Sequence, residues 1–340
     1  MITLLLIVLL SLGFLASCAH NAGNSYPLDG AYTSFDALES RLASFVAVGG
    51  ELCELKLIGF SGTDQLPIHA LRIGSKAASR KVLVIGQHHG DEVLGIEVVL
   101  GIAEQLKAPD KKFNAILEQF QIWIIPTLNP EGWREVSRGN YQWKRKNNRD
   151  TNNNKKFELR EDGVDLNRNY PVFWAEDQLT ASSNPYYKGS SAASESEIQA
   201  LLKFVEKADF ELAVFYHSSA SGAYSEKLYL PWYDKKDKAM TRRYQKNEEL
   251  AQSYAGSVKK DYGRGTYEVQ TGISSKMGSA RNYFFHALST PAFLIEIGGI
   301  NAEGISVIHP GSKMMQTIVK KHVAAFKTLL ISLPDQGSGL

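Results

Sequence analysis

The sequence has only two cysteines in 340 residues, which excludes a disulfide framework. Its 11 prolines and 28 glycines are too few for a collagen-like or low-complexity chain. Neither sign of charge dominates. The 38 Lys and Arg face 36 Asp and Glu, a formal +2, so the basic footprint of a nucleic-acid-binding protein is missing. There is no internal period of the kind that marks a solenoid. The apolar run Ile2 to Leu15, broken by Thr3, Ser11 and Gly13, is too short for a comfortable membrane span of ~20 residues. What is present is ordinary for a folded globule: 44% hydrophobic, 10% aromatic and 22% charged, which excludes wholesale disorder and coiled coil. At about 100–200 residues per domain, the length allows one large or two small domains.

The opening run has the length of a signal-peptide hydrophobic region. It ends in Leu15-Ala16-Ser17-Cys18, which resembles the bacterial lipobox, whose Cys is diacylated and becomes the mature N-terminus. The resemblance implies a signal peptide over residues 1–17, a lipid on Cys18, a membrane attachment through that lipid and an exported, cell-envelope location. Ala19 in place of Asp favours the periplasmic face of the outer membrane, by analogy with Gram-negative lipoproteins. The absence of Lys or Arg before the run departs from the pattern. Residues 18–30 are small and polar, as a tether requires. With Cys18 lipidated, Cys53 is expected to be a buried, unpaired side chain.

From Tyr26 to Pro334 apolar runs alternate with amphipathic stretches, the pattern of an α/β domain. Val82 to Ile85, Ile122 to Ile125, Leu212 to Phe215 and Phe293 to Ile295 read as strands buried on both faces, which implies helices on both sides of the sheet. Glu92 to Leu106 and Glu195 to Lys207 read as helices, and Met315 to Leu330 as a last helix closed by Pro334. No linker interrupts the pattern, so one domain over residues 31–334 with a short tail at 335–340 is expected, as a monomer. Lys144 to Asp162, rich in Asn and Lys, reads as a long polar surface loop.

In an open α/β sheet ligands gather beyond the carboxyl ends of the strands. The first buried strand runs into His88-His89-Gly90-Asp91-Glu92, where His89 and Glu92 have a spacing that lets an imidazole and a carboxylate converge on one zinc ion. The strand from Leu212 delivers His217 at its end. Three ligands, His89, Glu92 and His217, would leave a fourth tetrahedral position for water, as a catalytic zinc site needs. His88 lacks the spacing and is set aside, and His69, His286, His309 and His322 read as structural.

This constellation resembles the zinc carboxypeptidase family. Asn129-Pro130-Glu131-Gly132 resembles its N-P-D-G turn, with Glu for Asp. Gly163 to Pro171 resembles its D-L-N-R-N-F-P segment, Phe293 to Gly298 the strand with the catalytic Glu, and Gly59 to Leu71 an early G-x-S…P-I-x-A-L segment. The resemblance covers about residues 30–330 and implies one zinc ion per chain in a central, mixed, mostly parallel twisted sheet with helices on both faces.

It also implies roles. Glu296 would be general base and acid, and Asn167 and Arg168 would clamp a terminal carboxylate, for which the planar guanidinium fork is suited. A cationic donor for the oxyanion is expected between the two turns. Arg145 fits best, with Lys144, Arg149 and Arg138 as rivals. A tyrosine closing over substrate would be Tyr267 or, alternatively, Tyr283, and Gly272 to Tyr283 would line the pocket for the released side chain. The sequence H-G-D-E at 89–92 resembles bacterial cell-wall peptide amidases of the family. The expected activity is hydrolysis of a C-terminal amide of peptides, including peptidoglycan peptides and the amide between γ-D-glutamate and diaminopimelate. An N-acyl-amino-acid deacylase of the same fold and a catalytically silent binding lipoprotein are the alternatives.

Overall fold

The computed structural model describes residues 25–219, 223–271 and 275–334. The signal peptide, Cys18 and the tail lie outside the described residues, as does part of the Gly272 to Tyr283 segment. Ten strands are present among those described: β1 Cys53–Phe60, β2 Pro67–Ile73, β3 Arg80–Ile85, β4 Phe120–Ile125, β5 Leu212–Ser218, β6 Lys227–Tyr229, β7 Glu268–Gln270, β8 Ala292–Ile297, β9 Gly299–Ile300 and β10 Ser306–Val307. The first eight form one sheet in the order β1-β2-β4-β3-β5-β8-β6-β7, and β9 and β10 pair separately. At its centre β4, β3, β5 and β8 run parallel, while β2 and β6 join them antiparallel on either side.

The central strands are continuous apolar runs because both faces are covered. Val82 and Val84 of β3 belong to one core with Val214 and Tyr216 of β5, whereas Leu83 and Ile85 belong to the other with Ala213 and Phe215. That alternation is the period of two that a strand imposes. The first core is closed by α1 Leu38–Gly49, α2 Leu94–Glu104, α3 Lys111–Gln119, α6 Lys238–Ser257 and α8 Ser312–Ser332, and the second by α5 Ser196–Val205 and α7 Ala280–Ala287. The single α/β domain, with its mixed sheet between helical layers, is therefore the expected one. Caps mark several helix starts: Asp110 accepts from the Phe113 N–H at 2.8 Å, and Asp237 from the Met240 N–H at 3.0 Å. Each such cap is worth about 1 kcal/mol. Cys53 is buried and has no disulfide partner among the described residues.

One expectation is corrected. The stretch from Lys144 is not all solvated surface, because Lys144, Lys146, Asn147 and Asn148 are buried. Lys144 Nζ donates to the carbonyls of Lys146 and Asn147 at 2.7 and 2.5 Å, and Lys146 Nζ to those of Arg160 and Ser182 at 3.0 and 2.7 Å. Loop carbonyls without a strand partner need donors, and these ammonium groups supply them. Asn147 Nδ2 in turn donates to Glu195 at 2.8 Å and Glu197 at 3.2 Å.

Glu197 has no exposed surface, and its Oε2 has no partner among the described residues. Burial, and then the charge of Glu131, push its carboxyl up to about 8. The folded state therefore holds a proton that the unfolded chain releases near the ordinary carboxyl value, and stability falls as pH rises through the window from about 4.5 to about 8. Glu197→Gln, which stays neutral, is expected to abolish that slope. By urea unfolding it should match the wild type near pH 4.5 and exceed it above pH 8, by at most about 5 kcal/mol at about 1.4 kcal/mol per pH unit. Parallel stability profiles for the two proteins would show that Glu197 is ionised in the fold.

Candidate active site

Three adjacent parallel strands end at one place. β3 runs through Gly86 into His88 and His89, β5 carries His217 one residue from its end, and β8 carries Glu296. The β5–β8 register sets His217 directly beside Glu296. Parallel neighbours in register point to the same side, so this pairing alone brings a metal-ligand type and a carboxylate together.

His89, Glu92 and His217 converge, with donor atoms that all lie within 4.8 Å of one another. Glu92 Oε1 lies 2.8 Å from His89 Nδ1, Glu92 Oε2 lies 2.7 Å from His217 Nδ1, and the two Nδ1 atoms are 3.1 Å apart. Donors at about 2.0–2.1 Å from a tetrahedral zinc stand roughly 3.3 Å apart, so the spacing suits that ion. The donor chemistry suits it too: two imidazoles and a carboxylate, without thiolate, is the set of an open catalytic site. All three side chains are buried.

The surrounding groups orient the ligands. His89 Nε2 faces Asp165 Oδ1 at 3.1 Å, which directs Nδ1 toward the centre. Asp165 is fully buried and also accepts the N–H of Asn167 at 2.9 Å and Arg145 at 2.8–2.9 Å. Burial would raise its carboxyl, but Arg145, His89 and Arg168 hold it well below the usual range. Burial would likewise lower His89; Glu92 and Asp165 outweigh it and the net shift is upward. His217 falls to about 4 through burial, which keeps the imidazole neutral and able to ligate. Burial acts to raise Glu92 as well, yet the two imidazoles carry it far below its ordinary value.

Glu296 is partly buried, and its Oε2 has no partner among the described residues. Burial and the Glu92 charge push its carboxyl up to about 8. A dication beside it would draw that value back down, toward the range in which a base works at neutral pH.

The rival arginines separate. Arg145 reaches inward, with Nη1 at 3.5 Å from Glu92 Oε1 and its other nitrogens on Asp165. Arg138 pairs with Asp36 in an exposed position, Lys144 is consumed by loop carbonyls, and Arg149 is exposed. Arg145 is fixed in place because its carbonyl accepts the Gly90 N–H at 3.2 Å and Asn129 Nδ2 at 3.2 Å. Gly90 is required by this close approach: a Cβ there would lie 2.6 Å from the Lys144 carbonyl oxygen and 2.4 Å from the Gly132 carbonyl carbon. Asn129 also caps α4, Pro130–Ser137, by accepting the Gly132 N–H at 2.9 Å. Glu131, the Glu in place of Asp, is buried and accepts from the N–H groups of Thr63, Asp64 and Asn148 at 2.7–3.0 Å.

Asn167 and Arg168 sit on a short 3-10 turn whose cap is Asp165. Asn167 Oδ1 accepts the Ala280 N–H at 2.9 Å and its Nδ2 lies 3.4 Å from His217 Nε2, so the turn touches both the ligand set and α7. Arg168 and Arg145 both lie over the Tyr186 ring, at 5.4 and 4.8 Å from its centroid. Tyr186 was not anticipated, and neither was the part taken by Asp165. His88, set aside above, is fully buried: Nε2 lies 2.8 Å from Tyr170 Oη, and the ring stacks on His217 with centroids 5.2 Å apart.

Tyr267 is not at the site. It is 3% exposed, and its hydroxyl lies 3.3 Å from His322 Nε2, within a buried group that includes Tyr216 and Tyr254 in the first core. The expectation that it closes over substrate is therefore corrected: the tyrosine faces α8 across the sheet from the ligands. Tyr283, its alternative, packs against Tyr170 with centroids 5.9 Å apart.

A family model described as zinc carboxypeptidase matches residues 39–322. Among curated proteins, a metallocarboxypeptidase A-like protein of Trichophyton verrucosum is 28% identical over 207 residues, 59% of this chain and 46% of its own. Zinc carboxypeptidase A 1 of Anopheles gambiae is 29% identical over 186 residues, 54% of this chain and 40% of its own. The matched stretch thus spans less than half the length of these two relatives. In fold, the chain resembles carboxypeptidase A of Helicoverpa armigera, with a TM-score of 0.71 at 17% identity over 88% of this chain and 74% of that one. It also resembles bovine thrombin-activatable fibrinolysis inhibitor, with a TM-score of 0.69 at 17% identity over 89% and 97% of the two chains. With that match over most of its length and a fitting three-ligand centre at its strand ends, the chain belongs to the zinc carboxypeptidase family.

Proposed function

We propose that this protein is an exported, lipid-anchored zinc carboxypeptidase that removes the C-terminal residue of peptides in the cell envelope, peptidoglycan peptides among them. The observation that carries the reading is the convergence of His89, Glu92 and His217 with Glu296 on one side, Arg145 on another and the Asn167-Arg168 turn beyond.

A zinc ion held by the three ligands would acidify a water molecule and polarise the scissile carbonyl. Glu296 takes a proton from the attacking water as its oxygen bonds to the carbonyl carbon, and then passes that proton to the amine nitrogen, so that the C–N bond breaks as the carbonyl re-forms and a carboxylate and an amine leave. Arg145 faces the oxyanion that develops, and Asp165 keeps its guanidinium aimed there. Asn167 and Arg168 bind the terminal carboxylate, which restricts the site to chain ends. Lipidation of Cys18 would place the enzyme against the periplasmic face of the outer membrane, where muropeptides are available, and H-G-D-E at 89–92 is the sequence variant that points to the amide between γ-D-glutamate and diaminopimelate.

The substrate reading is tested by mass spectrometry of muropeptide digests made with zinc-loaded protein. Release of a C-terminal residue from tripeptide muropeptides is expected. Cleavage of protein-derived peptides with muropeptides left intact would remove the peptidoglycan assignment and leave the carboxypeptidase one.

A further inference from the structure

His88 has no part in the roles assigned above, although its imidazole lies almost flat against that of His217, 14° from parallel with centroids 5.2 Å apart. It is wholly buried. Phe215, two residues before His217 on the same face of β5, meets the His88 ring edge-on at 5.8 Å, and Tyr170 Oη lies 2.8 Å from Nε2. Nδ1 has no partner among the described residues. A phenyl ring would fill this place without desolvating two ring nitrogens, so packing alone does not account for an imidazole here.

The two imidazole ligands are held differently. A metal-bound imidazole is ordinarily oriented by an acceptor on its other nitrogen, and Asp165 gives His89 that acceptor. His217 has no such partner. With its Nδ1 turned to the ligand centre, Nε2 carries the hydrogen, and what faces it at 3.4 Å is Asn167 Nδ2, itself a donor. The Asn167 amide is fixed in that sense because its Oδ1 accepts the Ala280 N–H at 2.9 Å. No carboxylate or carbonyl bonds to His217 Nε2 among the described residues. The flat contact with His88 therefore supplies the restraint that Asp165 gives His89: it limits rotation of the ligand ring about its Cα–Cβ and Cβ–Cγ bonds.

His88 is itself held from two directions. Its carbonyl accepts Asn129 Nδ2 at 3.1 Å, and its ring is tied to Tyr170, whose N–H donates to the Gly278 carbonyl at 3.0 Å and whose own ring packs on Tyr283. In the segment that resembles D-L-N-R-N-F-P this chain has Tyr170 in place of Phe, so the hydroxyl that meets His88 is an addition to that pattern. We propose that His88 is a positioning residue, anchored by the Tyr170 hydroxyl, that holds the His217 ring in its zinc-binding orientation by stacking on it. This rests on the zinc reading of the site and adds to it a support for the one ligand ring that lacks an acceptor. In this role His88 touches neither the ion nor the substrate.

The test is zinc affinity, measured by competition with a chromogenic chelator, together with the visible absorption of the cobalt(II)-substituted protein. His88→Leu is expected to weaken zinc by roughly 10–100-fold, the usual cost of losing an orienting partner, and to alter the cobalt spectrum. At saturating zinc its kcat should fall while KM holds, because the Asn167-Arg168 turn is untouched. His88→Phe, which keeps a flat ring without the bond, and Tyr170→Phe, which removes a single oxygen, should each lie between the wild type and His88→Leu. The double variant His88→Phe/Tyr170→Phe should bind zinc no more weakly than the weaker single one, since all three lack the same hydrogen bond. Tyr170→Phe carries the test if His88→Leu does not fold. Wild-type zinc affinity and an unchanged cobalt spectrum in these variants, whatever their loss of thermal stability, would reduce His88 to packing and overturn the proposal. Additive losses in the double variant would overturn the anchoring by Tyr170. Failure of the wild type to bind zinc would overturn the zinc centre itself, and this inference with it.

Discussion

Glu296→Gln is expected to retain one equivalent of zinc and to lose hydrolysis by roughly 10²–10⁴-fold, the usual contribution of a positioned acid-base group. The substitution keeps the shape of the side chain and removes only its capacity to accept a proton. Zinc retention follows because Glu296 is outside the three-ligand group, although it is the register partner of His217. The loss should fall on kcat, since Asn167 and Arg168 would still bind the substrate terminus. Zinc by elemental analysis and kcat on an N-acyl dipeptide check both parts. Unchanged kcat with zinc bound would exclude Glu296 as the base.

His217→Ala should act upstream of this. It leaves His89 and Glu92 as a two-ligand remnant in a buried position. Zinc content is expected to fall well below one equivalent, and activity to background, while the far-UV signature of the sheet persists. The change also removes the ring on which His88 stacks, so a modest loss of thermal stability is expected. Full zinc occupancy in His217→Ala would show that the ion sits elsewhere.

The four central strands could be read from the sequence because each is a continuous apolar run buried on both faces. The three-residue strands β6 and β7 could not, since a strand of three residues is too short to show such a run. Helix α6 escaped for a related reason: KAMTRRYQKNEELAQSYAGS is polar nearly throughout and buries only Tyr244, Asn247, Ala251, Tyr254 and Ala255.

Within the site, the ligands were legible because each lies at the end of a buried strand or in the short turn that follows one. Asp165 and Tyr186 were not, because each reaches the site through a loop whose path is set by tertiary contacts. Tyr267 shows the opposite failure. A Y-x-V pattern announces a strand but does not say which face it turns to the ligands, and here the β6–β7 pairing and the buried His322 fix Tyr267 on the far face. The stretch from Lys144 to Asn148 misled by composition, since its lysines are buried donors to loop carbonyls.

The most direct measurement is a time course, by mass spectrometry, of one unmodified peptide ending in Glu with zinc-loaded protein, with chelated protein and with protein reloaded after chelation. The expected result is loss of single residues from the C-terminus in the first and third samples and none in the second. Cleavage that is internal, or that begins at the N-terminus, or that proceeds equally after chelation would contradict a zinc carboxypeptidase centre at His89, Glu92 and His217.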